Sequence, residues 1–418
     1  MTTSARLAPL RYPAFRRLVA AKTATTVGSW MQLVAAGWLM LQLTGSATSV
    51  GVITLASRGP GVVMAAYGGV LADRGGERRL GIWVAVLQTV AAALLTVTAV
   101  TDSITVTVIY VATLVIGLGS AISSPLIQNI VPESVPPAML AQANSLNSTA
   151  YTTARMIGPL AGGALVAALG VSWCFAINAA SFLAVVALFL SLPRDPKGRS
   201  REITGLRAAV HHARIIPMLA TILITIAVFS AFVAPIQELA PVIASTHGSG
   251  AHLVGFLLGA LALGGVLGSL LVTRFVEEGR PRHYVLSVAC GLSGLSVIAL
   301  GFSPDIFTAL GAMVLAGLFW EVYFVVAQTA LQTVCPHEVV GSMTGLFYAL
   351  TLGGLAIGAP LLGLLVDATS VRAALAISGA VMILVALWRA IMLRRRLRAE
   401  PAVSTEAERR GYRGGIVQ

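Results

Sequence analysis

Twelve apolar stretches follow one another along this chain, near residues 18–43, 48–71, 80–101, 104–127, 141–169, 173–192, 216–243, 252–275, 284–303, 306–331, 340–366 and 371–393. A helix needs about 20 apolar residues to cross about 30 Å of hydrocarbon, and these stretches are of that length. Inside a bilayer no water satisfies the backbone N–H and C=O groups, so each must pair them internally as an α-helix. The sequence therefore predicts an all-α integral membrane protein of twelve transmembrane helices. Composition agrees: the AVILMFWYC set makes up 57% of the 418 residues and charged residues only 11%. Soluble domains carry about 25% charged residues. A cytosolic enzyme, a disordered chain and a fibre are thereby excluded. The first stretch is longer than a signal-peptide core and is followed at once by another, so it reads as a span.

The net charge of +12 points to nucleic acid or to topology, and placement decides. Of 28 Lys and Arg residues, 24 fall before span one, in the loops after spans two, six and eight, and in the tail from Arg389. Lys22, Arg58 and Arg155 lie within spans, which leaves Arg372 on the opposite face. Basic residues concentrate on the cytoplasmic side of membrane proteins. Both termini are expected there, in a bacterial-type cytoplasmic (inner) membrane. The charge then encodes orientation, and no nucleic-acid partner is expected. Cys174, Cys290 and Cys335 lack metal-ligand or C-x-x-C spacing and read as small buried hydrophobes. No metal or cofactor is expected, and the chain is read as a monomer.

The polar stretch 193–215 divides the chain into a bundle of six spans over 1–192 and another over 216–393, with a basic tail over 394–418. Part of the divider, Ile203 to Arg214, has the pattern of a short interfacial helix. The halves echo each other. Gln128-Asn129-Ile130-Val131-Pro132 returns as Gln332-Thr333-Val334-Cys335-Pro336, and Gly158-Pro159 with Gly162-Gly163 return as Gly358, Pro360 and Gly363. Parallel six-helix repeats flanking a midplane site are one architecture of secondary transporters.

The loop after span two runs Gly69-Val70-Leu71-Ala72-Asp73-Arg74-Gly75-Gly76-Glu77-Arg78-Arg79. An acid, a glycine turn and several arginines form a charge cluster able to change partners between two conformations. The spacing resembles a signature of the major facilitator superfamily. That resemblance implies a conformational motif built on Gly69, Asp73, Arg74, Gly76 and Arg78, in which Asp73 caps a neighbouring helix and Arg78 holds a carboxylate. Glu77 departs from it, standing where the signature has a basic residue. In span five, Pro159 frees a backbone carbonyl and bends the helix, while glycines admit a close neighbour. The run Ala154-Arg155-Met156-Ile157-Gly158-Pro159-Leu160-Ala161-Gly162-Gly163 resembles the antiporter motif of the same superfamily and implies export. A plain proline kink is the alternative. Leu43–Ser46, Ala141–Leu146 and Phe175–Phe182 resemble the enterobactin-exporter and macrolide-efflux branch. Thr113 stands where drug/proton antiporters carry an arginine, which departs from the usual proton relay.

Ionisable groups at membrane depth are costly, so each is a functional candidate. Arg155 forms a helical-period stripe with Asn144, Asn147, Ser148 and Tyr151, which must face a wet cavity or the bundle interior. Arg58 lies in span two beside Pro60, Glu321 in the middle of span ten, and Glu238 near the end of span seven between Pro235 and Pro241. Loss of hydration favours a neutral carboxylate and suits proton loading at Glu321, whereas pairing with Arg155 or Arg58 would keep it ionised. Each of these groups could equally be a structural tie, and Glu238 an interfacial one. Trp30 and Gln32 are further cavity-lining candidates in span one. The expected function is proton-coupled efflux of an amphipathic small molecule, a siderophore, macrolide or drug, by alternating access. A metabolite importer and a non-transporting sensor or scaffold are the alternatives. No G-x-x-x-x-G-K-[ST], H-E-x-x-H or G-x-S-x-G motif occurs, so no enzyme is expected.

Overall fold

The computed structural model describes residues 8–72, 77–192, 212, 215–248, 250–277, 282–336 and 339–399. All of the divider except His212 and Ile215, and most of the tail, lie outside these residues, so the segment read as an interfacial helix does too apart from His212. The described residues form twelve long helices: α1 Pro13–Thr44, α2 Ala47–Ala72, α3 Glu77–Val100, α4 Val106–Glu133, α5 Leu140–Leu169, α6 Val171–Leu190, α7 Pro217–Phe232, α8 Ala251–Glu277, α9 Arg282–Gly301, α10 Ile306–Val334, α11 Val340–Ala368 and α12 Val371–Ala399. Each matches one predicted span. Helices α3 to α6 and α8 to α12 are each long and apolar enough to cross a membrane, and so is α7 together with its continuation to Glu238. Helix α1 is less apolar because Lys22, Thr25, Thr26, Ser29 and Gln32 on one face line a cavity.

Local chemistry explains the helix ends. Proline opens α1 and α7 at the first turn, where its missing N–H has no partner to lose. Gly45 closes α1 at a φ of 63°, a left-handed position that turns the chain directly into α2. The Asp305 side chain accepts hydrogen bonds from the Phe307 and Thr308 amides and caps α10.

One expectation fails in part. Span seven was read as a single helix, yet α7 stops at Phe232 and continues as two short helical segments, Pro235–Glu238 and Ala240–Ser245. Pro235 and Pro241 lack the amide that an unbroken helix would need there. The break brings Gln237 and Glu238 into the interior, both buried.

In the first six helices, α1 packs on α5 and α6, α3 on α4 and α6, and α2 on α4. In the second six, α8 packs on α10, α9 on α10 and α12, and α7 on α11. The groups meet mainly through α2 with α11 and α5 with α8. Lipid tails are as apolar as leucine, so contacts of this kind rest on close packing and small residues. The three cysteines are free and buried, as expected.

Candidate functional site

A cavity of about 1080 Å³ is walled mainly by helices α1 to α6 and reaches Glu321 of α10 and Tyr348 of α11 in the second group. Its walls include Lys22 and Ser29 of α1, Gln128 and Pro132 of α4, and Asn144 and Ser148 of α5. Helix α1 begins, α4 ends and α5 begins at the same end of the molecule, so the cavity opens at the end where α1 starts. Asn144, Asn147, Tyr151, Trp30 and Gln32 all line it. Gln32 is buried, and its side-chain oxygen accepts a 2.6 Å hydrogen bond from the Asn178 amide. A second cavity of about 200 Å³ shares Trp30, Tyr151 and Glu321 with the first and adds Arg155, Gln237 and Trp320.

The predicted charges meet where the cavities meet. Arg58 Nη2 lies 3.3 Å from Glu238 Oε1. The Gln237 amide donates to the same oxygen at 3.2 Å, and Arg155 Nη2 donates to Gln237 Oε1 at 3.0 Å. Both guanidiniums then return to one indole: the Arg58 Cζ is 5.8 Å and the Arg155 Cζ 5.6 Å from the Trp30 ring centroid. The result is a closed circuit, Trp30–Arg58–Glu238–Gln237–Arg155–Trp30. Three members come from α1, α2 and α5, and two from the break after α7. It therefore spans the two groups of helices. Cation–π contacts strengthen when desolvated, and an amide that accepts from one member and donates to another passes polarity around the ring. Glu238 Oε2 is buried without a hydrogen-bond partner among the described residues. Glu238 is an interior tie, not an interfacial group.

Span five supplies the room. A Cβ at Gly158 would stand 2.6 Å from that of Trp30, so only glycine lets the indole sit against α5. A Cβ at Gly163 would stand 2.9 Å from the Gly255 backbone, which makes this the point where α5 and α8 touch. Pro159 and Gly162 are buried beside them.

Glu321 stands apart from the circuit. It lines both cavities, and its carboxylate has no hydrogen bond or ion pair among the described residues. Its side chain lies over Gly265 and Gly268 of α8, where small residues leave space. Arg155 lies within electrostatic reach of it, yet bonds to Gln237 instead. Arg58 is engaged by Glu238. Neither arginine pairs with Glu321.

Of the motif after span two, Gly69 falls in α2, and Asp73, Arg74 and Gly76 lie outside the described residues. Arg78 donates from Nε to the Phe189 carbonyl at 3.0 Å and from Nη2 to that of Leu190 at 2.9 Å, placing a cation on the last carbonyls of α6.

Sequence reasoning missed three residues. Gln237 carries no charge to flag it, although its place between two prolines was a signal. Asp367, at the end of α11, makes contacts across the two groups of helices. Arg389 was counted with the basic tail, but it is buried, its Nη1 donating to Thr225 Oγ1 at 2.8 Å.

A twelve-helix bundle with a water-accessible cavity reaching both six-helix groups, and charge held at mid-depth, defines a membrane transporter of the major facilitator superfamily. The chain belongs to that superfamily's transmembrane secretion effector family, whose model matches residues 4–413. It is 27% identical over 403 residues to an enterobactin exporter, EntS, of Salmonella typhi, covering 94% of this chain and 96% of the relative. The corresponding exporter of Escherichia coli O139:H28 is 26% identical over 355 residues, covering 84% and 85%. Among solved structures, the nucleoside transporter NupG superimposes with a TM-score of 0.71 at 14% identity, over 91% of this chain and 99% of that one. A D-xylose–proton symporter does so with a TM-score of 0.72 at 15% identity, over 90% and 97%. The chain is a secondary transporter and not an enzyme.

Proposed function

We propose that the chain exports an amphipathic small molecule of the siderophore, macrolide or drug class across the bacterial inner membrane, by alternating access and in exchange for protons. The observation that carries the reading is the cavity itself: it is open at the end where α1 begins, and at mid-depth it meets a polar circuit that ties the two groups of helices together. The excess of basic residues at that end supports a cytoplasmic mouth, with both termini on that side. Cargo would enter from the cytoplasm and rest against Trp30, Tyr151 and the hydroxyl and amide wall. Breaking the circuit would let the groups rock and release it outside.

Glu321 supports proton coupling, being a carboxylate on the wall of both cavities that has no ion-pair partner among the described residues. It lines the smaller cavity together with Arg155, so loading a proton there would be felt by the circuit through Arg155 and Gln237. Arg155, Glu321, Glu238 and Arg58 are the proposed coupling residues, in two six-helix bundles over 1–192 and 216–393 acting as rigid bodies. A monomer is sufficient, since the cavity lies within one chain.

The test uses everted membrane vesicles from cells expressing the chain, energised and offered enterobactin, the compound in the relatives' name. Accumulation above that of vesicles lacking the protein, abolished by a protonophore, is expected. Accumulation in right-side-out vesicles alone would establish import.

A further inference from the structure

At the end of the molecule opposite the cavity mouth, one carboxylate bonds across the two groups of helices. Asp367, in the last turn of α11, receives four hydrogen bonds from the start of α2: Ser46 Oγ at 2.6 Å, the Ala47 amide at 2.8 Å, the Thr48 amide at 2.9 Å and Thr48 Oγ1 at 2.7 Å. A helix N-terminus exposes unpaired amides and the positive end of its dipole, normally met by a residue just before it. Here Ser46 occupies that position, and its hydroxyl does two things: it accepts from the Ser49 amide at 3.2 Å and donates to Asp367. The cap of α2 is therefore shared: Ser46 takes the Ser49 amide, and Asp367 of the other group of helices takes those of Ala47 and Thr48.

The surrounding backbone holds this contact in place. One turn before Asp367, a Cβ at Gly363 would stand 2.5 Å from the Ala47 carbonyl, so α11 and α2 meet backbone to backbone. Gly51 meets Ala359 and Pro360 in the same way. From the N-terminal group, the Tyr110 hydroxyl donates to the Ser49 carbonyl at 3.1 Å and fixes the start of α2 on α4. At Gly51 and Gly363 the crossing is backbone against backbone, and the bonds to Asp367 lie at its tip.

We infer that Asp367 is a positioning residue of the transport cycle: its capping of α2 holds the outer end closed while the cytoplasmic end is open, and this cap must break for cargo to leave. The inference rests on the alternating-access part of the proposed function. Charge-assisted bonds to backbone amides are about twice as strong as neutral ones. The carboxylate is exposed, so solvent competes, and a modest bias rather than a lock is expected.

Spin labels at Thr101→Cys and Phe307→Cys, both exposed beside the outer end on opposite groups of helices, report its width by double electron–electron resonance. The background carries Cys174→Ala, Cys290→Ala and Cys335→Ala. The wild type should populate mainly the short distance. Asp367→Asn, which removes the charge, should raise the ratio of long to short distances roughly three- to tenfold. Should that variant fail to fold, Ser46→Ala with Thr48→Val removes two of the four bonds and should give a smaller shift of the same sign. An unchanged ratio in the folded variant, with or without a lower melting temperature, overturns the inference by reducing Asp367 to a structural contact. The readout needs no cargo, so failure of the vesicle assay leaves it standing. A wild-type distance that never changes, cargo included, instead strikes at alternating access.

Discussion

Arg58 on α2 and Glu238 beyond α7 form an ion pair of 3.3 Å across the two groups of helices, with the arginine side chain 30% exposed and the glutamate 1%. The asymmetry sets the energetics. Glu238 depends on Arg58 and Gln237 for compensation, and one of its oxygens has no hydrogen-bond partner among the described residues. Arg58 retains both the cavity water and the Trp30 ring.

Removing the cation should therefore harm more than removing the acid. Arg58→Met leaves a buried carboxylate and should lower stability by roughly 2 kcal/mol, below the value for a fully buried pair because Arg58 is partly solvated. Glu238→Gln should cost less than half of that, since an amide still accepts from Arg58. Denaturation of the purified protein in detergent checks the order, and equal or reversed losses would show that the pair is not what holds Glu238.

Arg155 acts through geometry as well as charge. Its guanidinium reaches Gln237 while lying over Trp30. Lysine has the charge without the planar fork, so Arg155→Lys should reduce vesicle transport at least about tenfold while leaving folding intact. Transport within twofold of wild type would mean that charge alone suffices.

The α5–α8 contact depends on the absence of a side chain. Gly163→Val places two methyl groups where the Gly255 backbone lies and should force the outer end apart. The spin-labelled pair should then report the long distance, with loss of transport, and Gly163→Ala should lie in between. A short distance in the valine variant would show that α8 can yield without opening the molecule.

Much of this architecture could be read from residue order, because the bilayer permits so few solutions. Apolar length identified twelve helices, and the cost of charge at membrane depth marked Arg58, Arg155, Glu238, Glu321 and Trp30's neighbourhood as worth watching. What order along the chain does not contain is the pairing. Arg58 and Glu238 are joined only once α7 breaks at Pro235, and a hydropathy pattern reads straight through that break. Gln237 and Asp367 escaped notice for related reasons. An amide is not conspicuous at depth, and an acid at a span end looks solvated until the helix it caps is seen. Arg389 was misassigned because a run of arginines follows it, although Ile391 and Met392 still lie beyond it.

Coupling through Glu321 is the central claim, and purified protein in proteoliposomes tests it most directly. Wild-type protein should concentrate enterobactin against its gradient when a pH gradient is imposed. Glu321→Gln, which mimics the protonated form, should keep downhill counterflow of the same compound and lose uphill transport. Uphill transport at the wild-type rate by the folded Glu321→Gln protein would contradict the claim and remove this carboxylate from the mechanism.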